Sequence, residues 1–249
     1  MTRPIDLTRR ITTDLPVWPG DLPPVITPVA THDAGDGYAL SHLSATLHLG
    51  THIDAPRHFI PDGATVDALP LAVLIGPAFV VDVPDDVRAI DAPYLERLAA
   101  AGGLPADAVR ILFRTRNSAG LVDGRDEGPF RRDFVAVTAG GARYLVALGV
   151  RLVGIDGPSI APWDDTDTPH VVLLGAGVVV VEGLAMAEAP PGHGVLVCLP
   201  LRIEGAEGAP ARAVWFADAA DPGAIDIAHP GGDARSVGAA GAIDVDPPR

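Results

Sequence analysis

Between His48 and His58 the chain carries His48, His52, Asp54 and His58, in a stretch that neither regular secondary structure accommodates. All four positions share one parity, so a straight strand would put them on one face. That strand would also separate His48 from His52 by about 13 Å, at ~3.3 Å per residue. Two imidazoles on one metal need their nitrogens within roughly 4 Å, given Zn–N bonds of ~2.0–2.1 Å. A helix would bring positions i and i+4 together, but Gly50, Thr51, Ile53 and Pro56 oppose one. What remains is a sharp bend at Gly50, where the missing Cβ permits unusual dihedrals. Pro56 then drives Ala55 into an extended conformation and carries the chain away toward His58.

The rest of the composition suits such a fold. Among 249 residues there are 28 Gly and 25 Pro, which imply many turns and short elements rather than a helical bundle. Aromatics make up only 5%, so the core must be mostly Val, Leu, Ile and Ala. A net charge of -14 with no basic cluster argues against a nucleic-acid partner. All 18 basic residues are arginine, which excludes Schiff-base lysines and a Walker-type phosphate loop. The single cysteine, Cys198, lies in an apolar run and reads as a buried, inert thiol. No apolar stretch reaches the ~20 residues of a membrane span. These features lead to the expectation of a soluble, cytoplasmic protein with no membrane partner.

The order of elements points to an α/β domain with some parallel pairing. Residues 5–13 read as an opening strand, followed by a rigid turn at Pro16-Val17-Trp18-Pro19-Gly20-Asp21. Residues 38–47 alternate as a half-buried strand would. Short buried strands are expected at 78–83, 109–115, 150–155 and 178–181. Helices fall between them, capped by Asp91 with Pro93 and by Thr138, and a short helix is expected at 170–177. Residues 195–201 and 211–216 look like a closing pair of strands. The assignment is one domain over 1–217 and a loosely packed Ala/Gly/Asp/Pro-rich tail over 218–249.

Neutral imidazoles with a carboxylate suit Zn²⁺, Mn²⁺ or Fe²⁺. His48, His52 and Asp54 supply three ligands, and a fuller site needs distant ones. Glu182 interrupts an apolar strand, where a carboxylate is costly unless paired or metal-bound. His170 sits at the mouth of the expected helix. Taken singly, each histidine is more commonly a hydrogen-bonded residue than a ligand; four such groups in eleven residues favour the metal. For His32, His193 and His229, in Gly-, Asp- or Pro-rich loops, the plain structural role prevails.

The string His48-x-Gly50-Thr51-His52-x-Asp54-x-Pro56-x-His58 resembles the signature of the metal-dependent cyclase-like hydrolases, which include bacterial kynurenine formamidase and isatin hydrolase. The Trp18 turn, Gly154-Ile155-Asp156, His170 with Glu182-Gly183-Leu184, and Leu199-Pro200-Leu201-Arg202 agree with it, over roughly residues 5–216. The resemblance implies a three-layer β/β/α, swivelling-domain-like fold with a barrel-like mixed sheet, as a homodimer or higher homo-oligomer. It implies one or two divalent ions, Zn²⁺ first and Mn²⁺ second, on His48, His52, Asp54, His170 and Glu182. His58 would move protons. Leu49, Arg57, the lone His170, and Ile160-Ala161-Pro162-Trp163 depart from the family pattern and bear on the substrate.

The function this implies is hydrolysis of a small aromatic amide, first N-formylkynurenine to kynurenine and formate. The metal would supply activated water, and His58 would donate a proton to the departing amine. Trp18, Phe59 and Trp163 are the aromatic candidates for the substrate ring, each equally suited to the core and Phe59 most of all; Arg57 reads first as a solvated surface charge and second as a partner for a substrate carboxylate. Hydrolysis of isatin or another cyclic or small amide is the second reading. A non-catalytic metal-binding protein is the third.

Overall fold

The computed structural model describes residues 3–219, except 123 and 127. The strands are β1 Ile5–Asp6, β2 Val25–Ala30, β3 Leu40–Ser44, β4 His52–Asp54, β5 Ile75–Asp82, β6 Arg110–Arg114, β7 Leu121–Val122, β8 Arg125–Asp126, β9 Leu152–Ile155, β10 Val179–Glu182, β11 Gly192–Pro200 and β12 Gly208–Ala217. The helices are α1 Leu71–Leu74, α2 Ala92–Ala100, α3 Ala139–Leu148 and α4 Asp167–Gly175. The expected tail falls mostly on residues 220–249, outside those described.

One mixed sheet runs β1-β12-β11-β5-β6-β9-β10-β4, and a further pairing of β12 with β4 closes seven of its strands into a barrel. The closure comes from β12, whose first residues pair with β4 and whose later ones pair with β1 along the same edge. Strands β5, β6, β9 and β10 are parallel. Between them run α2, α3 and α4, as crossover connections of parallel strands require. The expected barrel-like α/β fold is the observed one.

Period-two alternation sorts the core into two layers. Val80, Leu112, Leu152, Val179 and Val181 point inward and pack with Ile53, Leu196, Cys198 and Trp215. Their neighbours Val81, Ile111, Phe113, Val153 and Val180 point outward, against Leu95, Leu145 and Leu173 of the helices. Burying a side chain such as Leu112 contributes about 1.5–3 kcal/mol. The capping expectations hold: the Asp91 side chain accepts from the Tyr94 N–H and the Thr138 side chain from the Gly141 N–H.

Three expectations need correction. The opening strand is two residues long: beyond Asp6 the chain leaves β12 after the Leu7 N–H bond to the Ala213 carbonyl and shifts to a bridge from Thr8 to Leu184. The helix bearing His170 starts a turn earlier, at Asp167, so His170 lies inside it. The segment read as a half-buried strand is β3, exposed throughout. It pairs only with β2, which the sequence pattern does not reveal, in a two-stranded ribbon standing off the barrel. Alternation there reflects the two faces of a ribbon, neither of them covered by this chain's own core.

Candidate active site

The bend at Gly50 is real: its φ is +58°, and Ala55 is extended at φ -86°, ψ 158°. The turn folds His48 back until its ring centroid is 5.1 Å from that of His52. His52 and Asp54 then enter β4, which lies antiparallel to β10 in a register that sets His52 opposite Glu182. Directly opposed residues have Cβ atoms ~4.5–5.5 Å apart, so strand pairing alone delivers Glu182 to the histidine segment. His170 arrives from the second turn of α4. Its Nδ1 is fixed by the Thr166 carbonyl at 2.6 Å, leaving Nε2 to face the site.

Five side chains converge. His52 Nε2 is 3.4 Å from both Asp54 Oδ1 and Glu182 Oε2. His170 Nε2 is 3.0 Å from Glu182 Oε1 and 3.5 Å from Asp54 Oδ2. His48 Nδ1 lies 2.8 Å from Asp54 Oδ1. Glu182 Oε1 also accepts the Ile160 N–H at 2.7 Å and the Ser159 hydroxyl at 3.3 Å. His58 ends a short 3-10 turn and stacks on His48, with ring centroids 4.0 Å apart. Phe59 stacks in the same way on His170, at 4.5 Å.

The donor set suits a divalent cation. His52, Asp54 and Glu182 offer ligand atoms that all lie within 4.8 Å of one another, and so do His48, Asp54 and His58. His48 Nε2, His52 Nε2 and Asp54 Oδ2 are buried without a hydrogen-bond partner. Buried polar atoms are rarely left so, and His52 Nε2 and Asp54 Oδ2, converging beside Glu182, mark a place for a cation. Electrostatics agree. Burial alone would lower the His52 and His170 pKa values, yet the Asp54 and Glu182 carboxylates beside them raise both to about 10. Burial would raise Glu182, and so would the Asp54 charge, but His170 and His52 bring it down to about 2. Asp54, against its burial, is held well below the usual carboxylate range by His170, His48 and His52. The cluster is a cradle for positive charge that protons occupy when no metal does.

A cavity of about 320 Å³ opens over these groups, walled by His48, His52, His58, His170 and Glu182, and by Trp18, Phe59 and Phe130. Trp163 is outside that wall but packs on Trp18, with centroids 4.9 Å apart. Arg57 is not brought to the cavity: it is exposed and donates to the Pro61 carbonyl at 2.7 Å. Sequence reasoning missed Glu207, whose carboxylate lies 3.6 Å from His48 Nε2, and Phe130. Barrel closure brings in Glu207, so nothing local announces it. The scarcity of aromatics was the one available hint for Phe130. Gly208 has a related role, since a Cβ there would sit 2.7 Å from His48 Cε1.

Comparison with known proteins agrees with this geometry. A kynurenine formamidase of Salinibacter ruber (strain DSM 13855 / M31) is 39% identical over 220 residues, spanning 88% of this chain and 99% of that one. The solved structure of a predicted metal-dependent hydrolase from Bacillus stearothermophilus is 31% identical, with a TM-score of 0.72 over 87% of this chain and 98% of its own. Isatin hydrolase A from Labrenzia aggregata, at 24% identity, shares the fold, with a TM-score of 0.74 over 86% of this chain and 93% of its own. With the Cyclase family model matching residues 5–162 as well, the chain belongs to the Cyclase family.

Proposed function

We propose that the chain is a metal-dependent amide hydrolase acting on an aryl formamide, with N-formylkynurenine and water going to kynurenine and formate. The observation that carries this is the set of unpartnered buried donors on His48, His52 and Asp54, beside Glu182 and His170, at the floor of an aromatic-walled cavity. His52, Asp54 and Glu182, with His170 beside them, would hold one ion, and His48 with Asp54 would contribute to a second. Imidazole and carboxylate together favour Zn²⁺, with Mn²⁺ second. When bound, such an ion lowers the pKa of a water and polarises the amide oxygen.

The protein's own groups do the rest. Trp18, Phe59 and Phe130 present apolar faces to an aryl ring and keep bulk water out. His58 handles the proton. Burial lowers its pKa, against the opposing pull of the Asp54 and Glu182 carboxylates. His58 is therefore neutral at neutral pH and ready to take the water's proton on a ring nitrogen. It returns that proton to the departing arylamine.

We also propose a homodimer, formed through the β2–β3 ribbon. Val25, Ile26, Val29, Leu40 and Leu43 are exposed there, and a two-stranded ribbon is only marginally stable alone. The strands of the ribbon carry no charged residue in a chain of net charge -14, so this is the surface where two copies meet with least repulsion. Light scattering should give a dimer for the native chain and a monomer for Ile26→Asp/Leu43→Asp.

The function is tested with a panel of N-formylkynurenine, isatin and formanilide, assayed with added Zn²⁺ or Mn²⁺. Preference for N-formylkynurenine is expected. Preference for isatin would overturn the substrate and keep the metal site. Full activity in protein shown free of divalent ions would overturn both.

A further inference from the structure

A second cavity, of about 120 Å³, lies beside the first and shares Arg9, Pro16, Phe130 and Pro158 with it as common walls. The character changes across that boundary. Beyond Phe130 the charged walls are Arg9, Arg116, Arg131 and Asp133. Arg131 grips both carboxylate oxygens of Asp133 and Arg9 is held by the Asp156 carbonyl, which leaves Arg116 as the cation whose bonding decides what the annex can take.

The annex is built, not incidental. It sits at the carboxyl ends of β6 and β9, where open parallel sheets place their ligands. Asp156, buried just after β9, accepts from the Thr115 N–H and hydroxyl at 2.8 Å each, the Ser118 N–H at 3.2 Å and the Ser118 hydroxyl at 2.6 Å. Those bonds fix the 3-10 turn that carries Arg116. Asn117 bonds both backbone groups of Val135 and so fixes the facing wall.

Arg116 is only partly satisfied. Nη2 donates to the Asp133 carbonyl, and Nη1 lies 3.5 Å from Asp133 Oδ2. Nε is buried and has no hydrogen-bond partner. A buried N–H without an acceptor is costly, and a carboxylate is the acceptor whose shape best matches a guanidinium fork. The annex, of about 120 Å³, has room for a carboxylate on a short tether.

We propose, on the strength of the amide-hydrolase reading above, that the annex receives a carboxylate carried by the substrate, and that Arg116 selects it. The aryl ring then lies against the cavity-facing edges of Trp18 and Phe130, which pack edge to face on each other, with the scissile amide toward His58. The substrate class is an aryl formamide whose side arm ends in a carboxylate, and formanilides without that arm are poor substrates.

Calorimetry on metal-loaded protein tests this, comparing kynurenine with o-aminoacetophenone, which lacks the amino-acid arm. The native protein should prefer kynurenine, and Arg116→Gln should cut that preference by about 10–100-fold, the range for a lost charge-assisted pair. The ratio of kcat/KM for N-formylkynurenine over formanilide should fall in parallel, and Arg116→Lys should restore part of it. Equal affinity for the two ligands in the native protein would overturn the proposal. So would an unchanged preference in a well-folded Arg116→Gln. If that variant fails to fold, Arg131→Gln at its exposed position carries the same comparison with a smaller fall. Absence of turnover on either formamide would remove the hydrolase reading, while the calorimetric preference still decides the carboxylate site.

Discussion

Replacing Gly183 by alanine probes how closely two backbones must approach for the site to exist. Gly183 follows Glu182 directly and has a φ of +65°. An added Cβ would lie 2.1 Å from the Gly50 carbonyl oxygen and 2.8 Å from its carbon. Ordinary contact is ~3.5 Å, so the strands must part by about 1 Å or more. Neither side can yield cheaply. The Gly183 N–H donates to the Gly157 carbonyl at 2.8 Å, and its own carbonyl accepts the Thr51 hydroxyl at 2.6 Å. A left-handed alanine costs about 1–2 kcal/mol and the overpacking about 1–3 more, so the loss should be about 2–5 kcal/mol. The displacement falls between His52 and Glu182, whereas metal sites hold their distances to within about 0.2 Å. Gly149→Ala is the control: its φ is +86° with nothing within 4 Å of the new Cβ, so it bears only the backbone cost. Urea unfolding of metal-stripped protein reads the stability, and mass spectrometry after dialysis reads retained metal. Gly183→Ala should lose both, and Gly149→Ala should keep its metal. If the two variants unfold alike and both stay loaded, the close approach does not set the site's geometry.

His58→Ala should lower kcat by about 100-fold or more while metal content stays near native; a small fall in rate would remove its proton-transfer role. Asp54→Asn, which touches both donor groups, should instead lose metal, as elemental analysis would report. In metal-stripped protein His52 and His170 titrate near 10, above their unfolded value of 6.5, so their contribution is complete below that value and is lost as pH rises toward 10. Stability by urea unfolding should therefore fall between about pH 7 and pH 9; a flat or rising curve would contradict the two charged histidines. Gly208→Ala pushes on the His48 ring and on the Ile53 carbonyl, 2.8 Å from the new Cβ, and should weaken metal binding and lower the unfolding free energy together, measured by titration and urea melt.

Local features were legible in the sequence because their causes are local. The bend at Gly50, the extended Ala55, and the Asp91 and Thr138 caps each depend on a few neighbouring residues, and each appears where the chain chemistry places it. Glu182 and His170 were also readable, since a carboxylate in a buried β-branched run must be neutralised by a partner or a cation. Glu207 and the annex were not readable, because barrel closure through β12 and β4 and the carboxyl ends of β6 and β9 bring them together. The β2–β3 ribbon misled for a different reason. Period-two alternation says that a strand has two unlike faces, and says nothing about whether either is covered. Arg57, read first as a solvated surface charge and second as a partner for a substrate carboxylate, is exposed, and its side chain turns to the Pro61 carbonyl, four residues on.

The register of β4 also explains how so much charge can be buried before any metal arrives. Asp54 pairs with Val180 on one side and Gly208 on the other, so its backbone is held by two strands at once. Its carboxylate and that of Glu182 would repel each other if left alone, and each alone would be expensive to bury. Protonated His52 and His170 lie between them and keep both ionised. The cradle is therefore formed by strand pairing and balanced by two protons, unlike a zinc finger that folds around its ion. Loading a divalent cation exchanges charge for charge: the histidines release protons as their nitrogens become ligands. Metal affinity should then rise steeply with pH over the neutral range while the backbone of β4 and β10 stays where it is, and a fold that reorganised on loading would not be the one described by this register.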